Sequence, residues 1–111
     1  MEMSEVKPGK VFEPELIIPL DAVVTTLNGQ EGWEQIKLRE PNFAEVADFY
    51  RESRKNGEHE AMGMLISVIS GVNLMAVKKL PIRKFREAQA YLLDFLNYFP
   101  PSTGGKTSSP T

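Results

Sequence analysis

The hydrophobic period of this chain changes once, at Pro41-Asn42, and that change limits what the chain can fold into. Before it, Ile36 and Leu38 alternate with Gln35, Lys37 and Arg39, the period of a strand covered on one side only. After it, Phe43, Val46, Ala47 and Tyr50 recur at i, i+3, i+4 and i+7, the period of one helical face. Further upstream, residues 15–20 and 23–27 are rich in Leu, Ile, Val and Thr, and Asn28-Gly29 with Gly32 marks a turn before a strand over 33–39. These segments predict a β-hairpin or small meander with helices over its buried side.

The helical part reads in order. A first helix over 43–55 places Glu45 and Asp48 early and Arg51, Arg54 and Lys55 late, as the helix dipole favours, and Asn56-Gly57 closes it. A second, over 58–70, is apolar nearly all round and is expected to be the most buried element. Gly71 ends it, Asn73 is placed to cap a short helix through Lys79, and Pro81 suits the first turn of a long last helix to Phe99. The predicted class is α+β, mainly α: an N-terminal β-hairpin or small meander followed by a bundle of three to four helices.

At 111 residues the chain has room for one domain, and 41% apolar with 25% charged residues is a folding composition. The expected organisation is a flexible N-terminal arm over 1–13, a domain over 14–99 and a disordered tail over 100–111, whose small, polar and helix-breaking residues cannot offset their ordering entropy. A domain of this size buries only about 60 to 68% of its unfolded surface, so a homo-oligomer is expected.

The chain has no cysteine, which excludes disulfides, thiolate metal sites and a thiol nucleophile together. Its N-terminus lacks the apolar run of a secretory signal, and its longest apolar stretch, 61–72, falls short of the roughly 20 residues that span a bilayer. The expectation is a protein that stays where it is made, with no membrane association. A net charge of −2 gives no global attraction to nucleic acid.

Candidate chemistry is sparse. Gly105-Lys106-Thr107 copies the end of a phosphate-binding P-loop, but the motif's first Gly would fall on Pro100 and no helix can follow. His59, the only histidine, lies between Glu58 and Glu60 at a helix start and reads as a solvated terminus. Ser67 and Ser70 have no base at a patterned spacing and read as small packing residues. No catalytic residue, metal ligand or cofactor is expected.

Two features remain. Lys78, Lys79, Arg83, Lys84 and Arg86 put five bases into nine residues, three of them in the first turns of the last helix, where the dipole disfavours cations. They read first as a solvated face, with Glu87 pairing to Arg83 or Lys84, and second as a patch for an acidic partner or nucleic acid. The last helix also carries five of the chain's ten aromatics. Phe85, Ala88, Leu92, Leu96 and Phe99 make the expected core face. Tyr91, Phe95 and Tyr98, at i, i+4 and i+7, make a second strip, either further core or a protein-binding surface continued by Phe99.

The order of a Leu-Ile-Ile-Pro-Leu strand, Leu38-Arg39-Glu40-Pro41 ending a second strand, the helix over 43–55, an apolar helix ending Ser70-Gly71-Val72 and a last Leu-Leu-Asp-Phe-Leu helix resembles the tail assembly chaperones of long-tailed phages. The resemblance covers about residues 15–99; Pro81-Ile82 departs from it, since relatives often open the last helix with an acidic residue. It implies a non-catalytic protein of the host bacterial cytoplasm that binds the tape measure protein, keeps it soluble while the tail tube assembles, and is absent from the mature virion. It also implies a longer form made by ribosomal frameshifting, whose extension recruits the tail tube protein; Gly105-Lys106 is the expected place for the slippery codons. The alternative is a small nucleic-acid-binding or adaptor protein using the bases of 78–86.

Overall fold

Leu16, Ile18, Ile36 and Leu38 share one face because β1 (Glu15–Thr25) and β2 (Gly32–Arg39) pair antiparallel, with Leu16 opposite Leu38 and Ile18 opposite Ile36. The structure, a computed structural model, describes residues 12–26 and 28–100. The run at 15–20 and the first three residues of the run at 23–27, separate in the sequence, are joined in one strand by a bulge. Between the pairs Pro19–Gln35 and Val24–Trp33, β1 carries residues 20–23 where β2 carries only Glu34. Pro19 cannot donate to a ladder, and a bulge absorbs the poor strand formers Asp21 and Ala22 that follow. The bulge sets Val24 opposite Trp33, so that both join the core. The sheet is therefore a hairpin. Gly29 turns it at φ 72°, while Asn28 Oδ1 accepts from the Gln30 N–H at 3.0 Å.

After β2, Pro41 is buried and Asn42 caps α1 (Phe43–Asn56), accepting from the Glu45 N–H while the Glu45 carboxylate accepts from the Asn42 N–H, both at 2.9 Å. The buried residue of α1 is Phe49, at 3% exposure; Phe43 and Tyr50 of the expected face stand 87% and 45% exposed. The stripe 46, 49, 53 is as good a helical row as 43, 46, 47, 50 and shares Val46 with it. Only the placement of α2 beside α1 decides between them.

α2 (Glu58–Ser70) is the central helix, with Ala61, Met62, Leu65, Ile66 and Ile69 buried against β2, α1 and α3. Its end is a polar knot. Gly71, at φ 77°, donates its N–H to Ser67 O, Ser67 Oγ donates to Val72 O at 2.6 Å, and Ser70 Oγ donates to Ile66 O at 2.6 Å while accepting from Val72 N–H. Ser67 and Ser70 therefore close a helix end, where the sequence reading made them packing residues.

α3 (Leu74–Val77) is capped by Asn73, whose side chain accepts from Met75 N–H; a turn over 78–80 replaces its expected last residues. α4 (Ile82–Leu96) lies against β1 and α2 and buries Ala88, Leu92 and Leu96, with Phe85 packed beside them. It ends three residues before Phe99, which is 82% exposed and so leaves the expected core face. The Pro100-Pro101 pair accounts for this, because a residue before proline is pushed out of helical conformation. Among the described residues, two strands and four helices, with one core between the sheet and α2 and α4, make an α+β fold that is mainly α.

Candidate protein-binding surface

α4 turns Leu92 and Leu96 into the core and Tyr91 and Phe95 to its flank; Tyr98, expected on the same helix flank, follows two residues past the helix end at Leu96. Those three form a connected strip together with Phe12. The Tyr91 and Phe95 rings meet edge to face at 5.2 Å, and the Phe12 ring lies 4.9 Å from Phe95 and 5.5 Å from Tyr98. Tyr91 donates its hydroxyl to the Glu13 carbonyl at 2.7 Å. Burial, and then the carboxylates of Glu40, Glu13 and Glu15, raise the Tyr91 pKa above its ordinary value, which keeps the phenol neutral and donating. Tyr91 and Phe95 are half-buried, whereas Tyr98 is 50% exposed. Phe99 stands past the helix end, outside the strip.

Phe12 escaped the sequence reading because it falls within the segment taken as an arm. The available signal was that it is the only aromatic before Trp33. Residues 1–11 of that arm lie outside the described residues, as do the tail over 101–111 and Gly105-Lys106-Thr107 within it.

A second apolar surface was also missed. Between α1 and α2 runs an open groove of about 270 Å³ whose floor is Met64, Leu65 and Val68 and whose rim carries Glu45, Arg51 and Lys55. Val68 is 55% exposed, and its place among the apolar residues of α2 gives no warning of this.

Three of the five bases have separate local partners. Lys78 pairs with Glu60 at 3.1 Å, Lys79 donates to the Thr25 carbonyl at 3.1 Å, and Lys84 lies 3.8 Å from Glu87. Arg83 and Arg86 are exposed and make no ion pair among the described residues. Of the two pairings open to Glu87, the structure has Lys84.

His59 stacks on Phe85 with ring centroids 6.2 Å apart and planes 14° apart. Among the described residues no three His, Cys, Asp or Glu side chains are grouped to hold a metal, and no helix is long and apolar enough to cross a membrane. What the described surface can do chemically is bury apolar and aromatic groups of another chain.

Comparison with curated proteins and with solved structures returned no match. Comparison with family models matched residues 18–97, from the middle of β1 to just past α4, to the family described as phage tail assembly chaperone proteins, E, or 41 or 14. That span contains the buried Leu38, the Arg39–Glu45 contact, the Ser67–Val72 helix end and all of α4, and it is well over half of the chain; the protein belongs to the phage tail assembly chaperone family.

Proposed function

We propose that this chain is a non-catalytic chaperone that binds the tape measure protein in the host bacterial cytoplasm, keeps it soluble while the tail tube assembles, and is left out of the mature virion. Membership of the family supports a role in tail assembly with protein partners. The observation that carries the reading is the aromatic strip of Tyr91 and Phe95 on one flank of α4, whose other face is already occupied by core, continued by Tyr98 just past the helix end. Such a row suits an amphipathic segment of a long helical client, since aromatic anchors bury large area and tyrosine tolerates both wet and covered states. Phe99, beyond the helix end, is a further contact for the same client. The thin core also favours self-association, so the working form is a homo-oligomer.

A longer form, produced by a minus-one frameshift at the codons for Gly105-Lys106, would add a tail-tube-binding extension beyond the folded domain. A heptameric slippery run there, followed by an open overlapping frame, is the expected nucleotide sequence.

The test is co-expression of the tape measure protein of the same phage with and without this chain. The expected result is soluble tape measure protein that co-purifies with the chain; tape measure protein that is insoluble in both cases, or soluble in both, overturns the reading. Nucleic-acid binding through residues 78–86 is the weaker reading, because three of the five bases are engaged by local partners.

A further inference from the structure

Phe12 lies on the surface just assigned to the client. Its ring covers Phe95 and meets Tyr98 edge on, and the next residue supplies the carbonyl that accepts the Tyr91 hydroxyl. One aromatic anchor and one main-chain acceptor thus span Tyr91, Phe95 and Tyr98, along α4 and just past its end. Any segment docking there needs the same pair of features: a ring over Phe95 and Tyr98, and an acceptor for a phenol that would otherwise be covered without a partner.

We propose that Phe12 and Glu13 form a displaceable strap that competes with the client for the α4 strip. The proposal rests on the α4 strip being the client site. Several observations make the strap separable from the fold. The ladder between β1 and β2 begins at Glu15, opposite Arg39, so lifting residues 12 and 13 breaks no strand pairing. Pro14 lies between strap and strand and has no N–H to commit to either. The residues that hold α4 in place, Ala88, Leu92 and Leu96, are on its other face and stay covered. Phe12 itself is only half-buried, and Glu13 is exposed.

The strap has two consequences. Without client it shields Phe95 and part of Tyr98, which limits the apolar patch a free chaperone presents to other proteins. With client it sets a threshold, since a site open in only a fraction of molecules binds with its intrinsic affinity reduced by that fraction. A strap closed in about 70 to 90% of molecules lowers apparent affinity about three- to tenfold.

The experiment uses full-length chains: wild type, Phe12→Ala, which removes the anchor, and Tyr91→Phe, which removes the latch but keeps the ring. Each is measured for anilinonaphthalene sulfonate fluorescence, thermal unfolding, and titration with a soluble fragment of the tape measure protein of the same phage. The expected result for Phe12→Ala is higher dye fluorescence and about three- to tenfold tighter fragment binding, with a melting temperature close to wild type. Tyr91→Phe raises dye fluorescence by less and leaves fragment binding close to wild type, since strap and client lose the same hydroxyl. Unchanged dye fluorescence in Phe12→Ala overturns the strap, and so does fragment binding that is unchanged or weaker. Raised fluorescence with no fragment bound by any chain supports the cover over α4 and overturns the client reading instead.

Discussion

Arg39, the last residue of β2, grips Glu45 in the first turn of α1 through two N–H···O bonds, 2.9 Å to Oε1 and 2.8 Å to Oε2. The same Oε1 accepts the Asn42 N–H, so one carboxylate closes the helix cap and ties the helix to the strand before it. Buried Leu38 and Pro41 flank the contact. The Leu38-Arg39-Glu40-Pro41 element is therefore a joint that fixes how α1 leaves the sheet.

Replacing Glu45 by Ala should cost about 1 to 2 kcal/mol, since it removes both a capping interaction and a bidentate partner. The Arg39 guanidinium holds the Glu45 carboxyl below its ordinary pKa, helped by the Asn42 N–H and opposed by burial. The folded state thus binds that proton more weakly than the unfolded chain. Its contribution is complete above the ordinary carboxylate range and is lost as pH falls through the lower folded value. Denaturant melts of wild type and Glu45→Gln across acidic pH check this: the difference between them should shrink as pH falls. A constant difference would mean that the contact is steric only.

Gly71 ends α2 at φ 77° with nothing within 4 Å of where a Cβ would stand, so a substitution there meets backbone strain and no clash. Gly71→Ala should destabilise by about 1 to 2 kcal/mol. Gly71→Asn should cost less, because Asn tolerates the left-handed region, and Gly71→Val more. Equal melting temperatures for the three variants would contradict the assigned conformation.

Phe43 and Phe49 occupy one helix and should behave oppositely. Phe49→Ala opens a cavity beneath α1 and should cost about 3 to 5 kcal/mol, whereas Phe43→Ser, at an 87% exposed position, should change stability by about 0.5 kcal/mol or less. Urea unfolding of the two variants decides whether α1 packs by Phe49. The reverse order would restore the face that the sequence period first picks out.

How far the fold can be read from sequence follows from how local its causes are. The change of period at Pro41-Asn42, the apolar circumference of 58–70, the cap at Asn73 and the helix end at Gly71 are properties of neighbouring residues, and the structure has each of them. The departures arise where two distant segments meet. The bulge that makes 15–25 one strand is settled by pairing with β2, and the buried row of α1 by the side on which α2 lies. At the candidate surface, the Tyr91–Phe95 pair one helical turn apart was legible, whereas Tyr98 falls past the end of α4 and Phe12 was not legible, because only the fold brings it to α4. The basic cluster is a segment in the sequence and separate contacts in space, since Lys78 and Lys79 turn toward Glu60 and Thr25.

Tyr98 and Phe95 should divide client binding from stability. Tyr98 is 50% exposed, so Tyr98→Ala removes little burial and should lower stability by about 1 kcal/mol or less. Phe95 is half-buried among Phe12 and Tyr91, so Phe95→Ala should cost more than Tyr98→Ala but less than the roughly 3 to 5 kcal/mol of a fully buried Phe. If the α4 row holds the tape measure protein, both changes should weaken that binding, Phe95→Ala by about 2 kcal/mol or more, the level of an interface hot spot. The sharper of the two is Tyr98→Ala, because lost client solubility with an unchanged melting temperature cannot come from unfolding. Co-expression with the tape measure protein, scored as soluble client against the melting temperature of each purified variant, makes the separation. Full client solubility with Tyr98→Ala and with Phe95→Ala would leave α4 as packing alone and move the search for a binding surface to the groove over Met64, Leu65 and Val68.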